Sequence, residues 1–109
     1  MTEKKNFYAR PIKPGDLIQY QDGSVVSRML IYEKAGTLSI FAFAAGQGLS
    51  EHTAPYDAIV QMLEGTANIT VGEDEYLINQ GEMIILPATV PHSVHAVSDF
   101  KMMLTMIHE

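Results

Sequence analysis

Two histidines, His52 and His92, are the residues of this chain best suited to chemistry. An imidazole ring binds transition metals, forms hydrogen bonds in either direction and exchanges protons near neutral pH. The chain contains no cysteine, which excludes disulfides, thiolate zinc sites and a cysteine nucleophile. Three interpretations of the pair stay open: ligands of a transition metal, polar contacts in a ligand pocket, or remnants in a pocket that binds nothing.

Glycines and a proline lie at fixed distances from these histidines. The residues that share this spacing are Gly46, His52, Gly65, Gly81, Pro87 and His92. The pattern resembles the two motifs of the cupin family, G-x5-H-x-H-x3-E-x6-G and G-x5-P-x-G-x2-H-x3-N. The resemblance covers residues 46–96, and flanking strands extend it to most of the chain. It implies a small β-barrel with a central pocket.

Four positions depart from the family motifs. Alanines replace the second histidine, the glutamate and the asparagine, and a threonine replaces a turn glycine, at Ala54, Ala58, Ala96 and Thr89 respectively. Of the family's metal ligands, the resemblance therefore carries over His52 and His92 alone. It implies a divalent iron, manganese, nickel or zinc ion, which two imidazoles would hold weakly because a catalytic metal normally has three or more protein ligands. A pocket without a metal is the open alternative.

The alternation of side chains along a strand predicts which neighbours share the pocket. Successive side chains point to opposite faces, so Tyr56 and Met62 lie on the same face as Ala58 if that residue points inward. The predicted pocket residues are accordingly His52, Tyr56, Met62 and His92, with Tyr56 as the polar candidate for an additional metal ligand. The same parity places His95 on the outer face.

Strand patterns dominate the chain and predict an all-β, antiparallel jelly-roll barrel, also called a double-stranded β-helix. The predicted strands are 25–32, 37–44, 56–63, 67–71, 75–78, 83–86, 92–97 and 101–107. Residues 1–23, which contain Pro11, Pro14 and Gly15, are predicted to form an N-terminal arm with an edge strand near Arg10–Ile12. Residues 24–109 would form the barrel, in one domain overall.

Both faces of the strand 37–44 are apolar, so we expect both to be covered. Phe41 and Phe43, together with the alternation of Met102, Leu104 and Met106, suggest a sheet surface that pairs with a second copy. The resemblance likewise implies a homodimer.

Composition limits the partners and the location of the protein. The net charge of −6 and the absence of a long basic run argue against nucleic acid, because phosphate binding requires a basic face. The apolar runs are far shorter than the roughly 20 residues needed to cross a bilayer. Because no apolar segment follows the charged first residues, a cytoplasmic protein without a signal peptide is expected.

Two function classes remain, with a third behind them. The first is a binding module that holds a small organic ligand, such as a sugar or a carboxylate, in the central pocket. The second is a metal-dependent cupin enzyme of the dioxygenase, isomerase or decarboxylase type that uses His52 and His92. The third is a metal-free sugar-phosphate epimerase, which uses a histidine–aspartate pair. This sequence places no inward carboxylate near His52 or His92, so this class ranks last. Whether the chain is an enzyme stays open.

Overall fold

The computed structural model describes residues 7–108, which form two packed antiparallel sheets. The strands of these residues are β1 (Val25–Glu33), β2 (Gly36–Phe43), β3 (Gly48–His52), β4 (Asp57–Glu64), β5 (Thr66–Val71), β6 (Asp74–Asn79), β7 (Met83–Leu86), β8 (His92–Ala96) and β9 (Phe100–Ile107). A single turn of 3₁₀ helix, Pro14–Leu17, precedes them. Within residues 7–108, no helix is long and apolar enough to cross a membrane.

The strand order shows that the chain crosses repeatedly between the sheets. One sheet has the order β1-β2-β9-β4-β7 and the other the order β3-β8-β5-β6. This arrangement confirms the predicted all-β antiparallel barrel. Strand β3 was not predicted, because Ser50 and Glu51 interrupt any apolar pattern. Yet β3 is the strand that carries His52.

The core lies between the sheets and is built from one face of each strand. Phe43 and Phe100 are fully buried and stack with ring centroids 4.4 Å apart and planes inclined by 9°. Val60, Ile69 and Met102 are equally inaccessible to solvent. Burial of such side chains contributes about 2 kcal/mol each to folding, so this core is the main source of the barrel's stability.

The surface expected to mediate dimerisation proves to be interior. Phe43 belongs to the core and Phe41 packs against it, while Met102, Leu104 and Met106 face the inside of the barrel. The prediction was wrong about direction because both faces of β2 are apolar, so a period of two could not tell the inside from the outside.

The outer face of β2 is covered in part by the chain's own N-terminal segment. Ile40 and Ala42 on this face are fully buried and pack in a second cluster with Phe7 and Ile18. Lys101, which also points outward, donates a hydrogen bond from Nζ to the carbonyl of Gly15 at 2.7 Å. The N-terminal segment thus supplies part of the cover that the two apolar faces of this strand predict.

The edge strand expected near Arg10–Ile12 is absent from the structure, where residues 11–13 have no strand pairing and a 3₁₀ turn follows. The physical reason is that Pro11 and Pro14 have no backbone N–H to donate to a neighbouring strand. The segment is held instead by side chains: the Tyr20 hydroxyl donates to Glu64 Oε2 at 2.5 Å. Residues 1–6 of the predicted arm and Glu109 lie outside the described residues, and the division at residue 23 stays a prediction.

Candidate functional site

The pairing of β3 with β8 brings the two histidines together. His52 and His92 are direct cross-strand partners, and their ring centroids are 4.4 Å apart with the planes inclined by 73°. His92 is buried, with 6% of its surface exposed, whereas His52 is exposed at the end of its strand. The pair therefore spans the boundary between the barrel interior and solvent.

Backbone carbonyls fix the proton on each ring. Nδ1 of His52 lies 2.7 Å from the carbonyl oxygen of Ser50, and Nδ1 of His92 lies 3.2 Å from that of Val90. A carbonyl oxygen only accepts hydrogen bonds, so each Nδ1 must donate its proton. In the neutral rings, both Nε2 atoms are consequently hydrogen-bond acceptors.

The environment of His92 favours its neutral form. Burial lowers the pKa of this imidazole below its usual value, the hydrogen bond to Val90 acts in the opposite direction, and the neighbouring His52 lowers the pKa further. At neutral pH the His92 ring is therefore uncharged, with a lone pair on Nε2.

A cavity of about 240 Å³ adjoins the two histidines. The residues that line it are Phe41, Leu49, His52, Ala54, Ala58, Val60, Leu86, His92, Val94, Met102, Leu104 and Met106. All but the two histidines have apolar side chains, so His52 and His92 are the side chains of this lining that can make a specific polar contact with a bound molecule.

Two of the four predicted pocket residues are not among the residues that line this cavity. Tyr56 stacks on the ring of His108 with a centroid distance of 4.3 Å. The alternation of side chains cannot be extended from Ala58 back to Tyr56, because β4 begins at Asp57. Met62 does point inward and is buried, but it packs within the core and does not line the cavity. His95 is exposed on the outer face, in agreement with its predicted parity.

Several residues that line the cavity were not predicted as site residues from the sequence. Phe41, Leu104 and Met106 had been assigned to a dimer surface, and Leu49 lies on the strand that was missed. The alternation of apolar residues on β9 was the available signal. It gave the correct spacing and the wrong face.

The residues of the cavity do not fit a tightly held metal ion. Ala54 and Ala58 line the cavity together with the histidines, so methyl groups occupy the positions of two family ligands. The nearby carboxylate of Asp57 is engaged elsewhere, accepting a hydrogen bond from the backbone N–H of Ala88 at 2.8 Å. Among residues 7–108, no group of three or more histidine, cysteine, aspartate or glutamate side chains could hold a metal.

The loop between β7 and β8 carries backbone strain next to the site. Thr89, which stands where the family motif has glycine, has a φ of 69°, a left-handed conformation that is unfavourable for a β-branched residue. Its N–H donates to the carbonyl of Ala54 at 2.8 Å. The loop is thereby fixed to the cavity wall, and the adjacent Val90 carbonyl is the acceptor for His92.

Replacing Thr89 by glycine is expected to raise the free energy of unfolding by about 1 kcal/mol. The gain is the strain of a left-handed non-glycine residue, about 1–3 kcal/mol, less the greater chain entropy of glycine. Urea unfolding of Thr89→Gly beside Thr89→Ala, which retains the strained Cβ, measures the effect. A loss of stability in the glycine variant would contradict this account of the loop.

Comparisons with known proteins agree with this architecture. A family model described as "Cupin domain" matches residues 39–108. A conserved protein of unknown function from Streptococcus pyogenes has a similar structure, with a TM-score of 0.91 and 28% identity over 100% of this chain and 96% of the other. No curated protein matches the chain.

Two further structures resemble the chain over part of their own length. A cupin 2 conserved barrel domain protein from Leptotrichia buccalis is 33% identical, with a TM-score of 0.83 over 85% of this chain and 45% of that protein. A salicylate 1,2-dioxygenase from Pseudaminobacter salicylatoxidans has 14% identity and a TM-score of 0.72 over 76% of this chain and 26% of the enzyme. The likeness to the dioxygenase concerns the fold alone.

Proposed function

Because this chain belongs to the cupin family, we propose that it uses the family's central pocket to bind a small organic ligand. The observation that carries the proposal is the cavity of about 240 Å³, whose lining is apolar except for His52 and His92. A concave apolar site with a few convergent polar groups is the usual form of a small-molecule site. The missing ligands at Ala54 and Ala58 favour binding over metal-dependent catalysis.

A ligand screen with a variant that fills the cavity tests the proposal. We expect that some members of a library of sugars, carboxylates, amines and aromatic compounds raise the melting temperature of the wild-type protein. Ala58→Leu places a larger side chain in the cavity and should abolish these shifts, because Ala58 is buried in its wall.

The matched control is Ala35→Leu, the same substitution at an exposed position between β1 and β2. This variant should retain the ligand response of the wild-type protein. The proposal is contradicted if no compound stabilises the wild-type protein, or if the shifts persist in Ala58→Leu.

A metal-dependent enzyme is the alternative, and the fixed protons on Nδ1 favour it. Metal-binding histidines commonly donate their second N–H to a carbonyl, as His52 and His92 both do. Elemental analysis of untagged protein separates the two functions. Near-stoichiometric metal that disappears in the double variant His52→Ala/His92→Ala would favour the enzyme, whereas the binding module predicts little or no metal.

We further propose a homodimer, with its interface on the uncovered part of the outer sheet face. Cross-strand partners form a row that spans the five-stranded sheet, consisting of Ile31, Leu38, Thr105, Ile59 and Ile85. Ile31 and Ile85 are 37% and 53% exposed. A largely apolar row of this kind, interrupted only by the threonine at its centre, is typical of a surface that a second copy covers.

Ile85→Lys should lower the mass measured by sedimentation to that of one chain, because it places a charge in the proposed interface. Tyr76→Lys on β6 of the other sheet, where Tyr76 is 44% exposed, should leave the mass unchanged. A single-chain mass for the wild-type protein at micromolar concentration would remove the proposal.

A further inference from the structure

The cavity wall contains no lysine, arginine, aspartate or glutamate that could neutralise an ionic ligand. Ten of its twelve residues have apolar side chains. Two charged residues, Glu64 on β4 and Lys101 on β9, face outward toward the N-terminal segment. Transfer of an unpaired ion from water into an apolar site is strongly unfavourable. A carboxylate, phosphate or ammonium group therefore finds no permanently charged side chain of opposite sign in this cavity.

In their neutral forms, the two polar side chains of the cavity offer only hydrogen-bond acceptors. The Nδ1 protons of His52 and His92 are used by the carbonyls of Ser50 and Val90. The remaining ring nitrogen, Nε2, has no hydrogen-bond partner among residues 7–108 on either histidine. A molecule that enters the cavity meets lone pairs and no polar side-chain donor, so a ligand with only acceptor groups would leave both sides without partners.

Of the two histidines, His92 has the greater need for a hydrogen-bond donor from the ligand. It is buried, with 6% of its surface exposed, so a ligand that displaces water from its Nε2 must replace the lost hydrogen bond. His52 is exposed and can keep a hydrogen bond to water. The acceptor that selects the ligand is therefore Nε2 of His92.

From these observations we infer that the ligand is an uncharged, largely apolar compound with a hydroxyl group that donates a hydrogen bond to Nε2 of His92. This inference rests on the proposed binding function and narrows it. It disfavours the carboxylates suggested by the sequence, and it disfavours sugars, whose many hydroxyl groups would face apolar side chains without partners.

The cavity has the size for one aromatic ring with a short substituent. Its volume is about 240 Å³, and engineered apolar cavities of about 150 Å³ already admit benzene. Met102 and Met106 in the wall add adaptability, because the unbranched thioether side chain changes its shape easily and packs well against aromatic rings.

Three ethylbenzenes that differ only in their para substituent test the inference: 4-ethylphenol, its methyl ether 4-ethylanisole, and 4-ethylbenzoate. In titrations of the full chain followed by NMR, 4-ethylphenol should bind about tenfold more tightly than 4-ethylanisole, the value of one hydrogen bond to a desolvated acceptor. 4-Ethylbenzoate should bind at least tenfold more weakly than the ether, because its charge has no partner.

Variants of β8 assign the effect to one atom. His92→Phe keeps a ring and removes the acceptor, so 4-ethylphenol should bind to it no more tightly than 4-ethylanisole does, while the affinity for the ether changes little. His95→Phe makes the same substitution on the same strand at an outward, exposed position. This control should retain the tenfold preference for the phenol.

The outcomes separate the inference from the proposed function. Equal binding of phenol and ether, or tightest binding of the benzoate, overturns the inference and leaves the binding function intact. The inference alone also fails if none of the three probes binds while other compounds stabilise the wild-type protein and not Ala58→Leu. If neither the probes nor the library bind, both proposals fail.

Discussion

Replacing Gly65 by alanine is expected to lower the free energy of unfolding by about 4 kcal/mol, a large part of the roughly 5–15 kcal/mol that stabilises a domain of this kind. Gly65 joins β4 to β5 with a φ of +80°. A Cβ atom there would lie 2.2 Å from the carbonyl oxygen of Asp99 and 2.8 Å from the Cα of Phe100. Both neighbours are backbone atoms, which cannot move aside as the end of a flexible side chain would.

Two contributions make up this cost. The left-handed conformation costs about 1–2 kcal/mol for a residue with a Cβ, and insertion of an atom into a packed region costs about 1–3 kcal/mol more. Phe100 is fully buried and stacks on Phe43, so displacement of its backbone would disturb the centre of the core. Thermal and urea unfolding of Gly65→Ala measure the total.

Gly81→Ala is the matched control. Gly81 has a similar φ of +87°, but a Cβ atom at this position would have no neighbour within 4 Å. The Gly81→Ala substitution should therefore lower the free energy of unfolding only by the cost of the left-handed conformation, about 1 kcal/mol. Equal losses in the two variants would show that the close approach at residue 65 contributes nothing to stability.

The fold could be predicted from the sequence because its evidence is repeated along the chain. Turn glycines and prolines separate short β-branched segments throughout, and two motifs with fixed spacings support the same barrel. The single missed strand, Gly48–His52, is polar and exposed along most of its length. It is held by its pairing with β8, which is an interaction between distant parts of the chain that no local pattern indicates.

The site could be predicted only where the motifs fixed it. The spacing identified His52 and His92, and the register of β3 and β8 places them side by side. The prediction for Tyr56 extended an alternation beyond the first residue of β4, and the structure places this ring against His108. The apolar wall, Phe41 and Leu104 among it, was misassigned because a period of two identifies a face and leaves open whether that face is inside.

Restoration of the two missing ligands is expected to create a metal site. The double variant Ala54→His/Ala58→Glu should bind zinc or nickel about 1,000-fold more tightly than the wild-type protein. Loss of a supporting partner around a metal ligand already costs about 10–100-fold in affinity, and here two direct ligands are added to His52 and His92. Both alanines line the cavity with these histidines, so the new side chains would enter the same space. Calorimetric titration measures the affinities.

The metal-free variant should also report how apolar the cavity is. A glutamate at position 58, where the alanine is 3% exposed, loses its hydration without gaining a partner, so its pKa should rise and stability should fall by several kcal/mol. Saturation with metal should reverse the loss, because a ligand present at 100 times its dissociation constant contributes about 2.7 kcal/mol.

The matched control is Ala54→His/Ala58→Gln, which retains the shape of the side chain without its charge. This variant should lose less stability, and metal should restore less of it. If the glutamate variant gained no metal affinity, the positions of Ala54 and Ala58 around the histidine pair would be wrong. The proposed contrast between an apolar ligand cavity and a metal centre would then have to be abandoned.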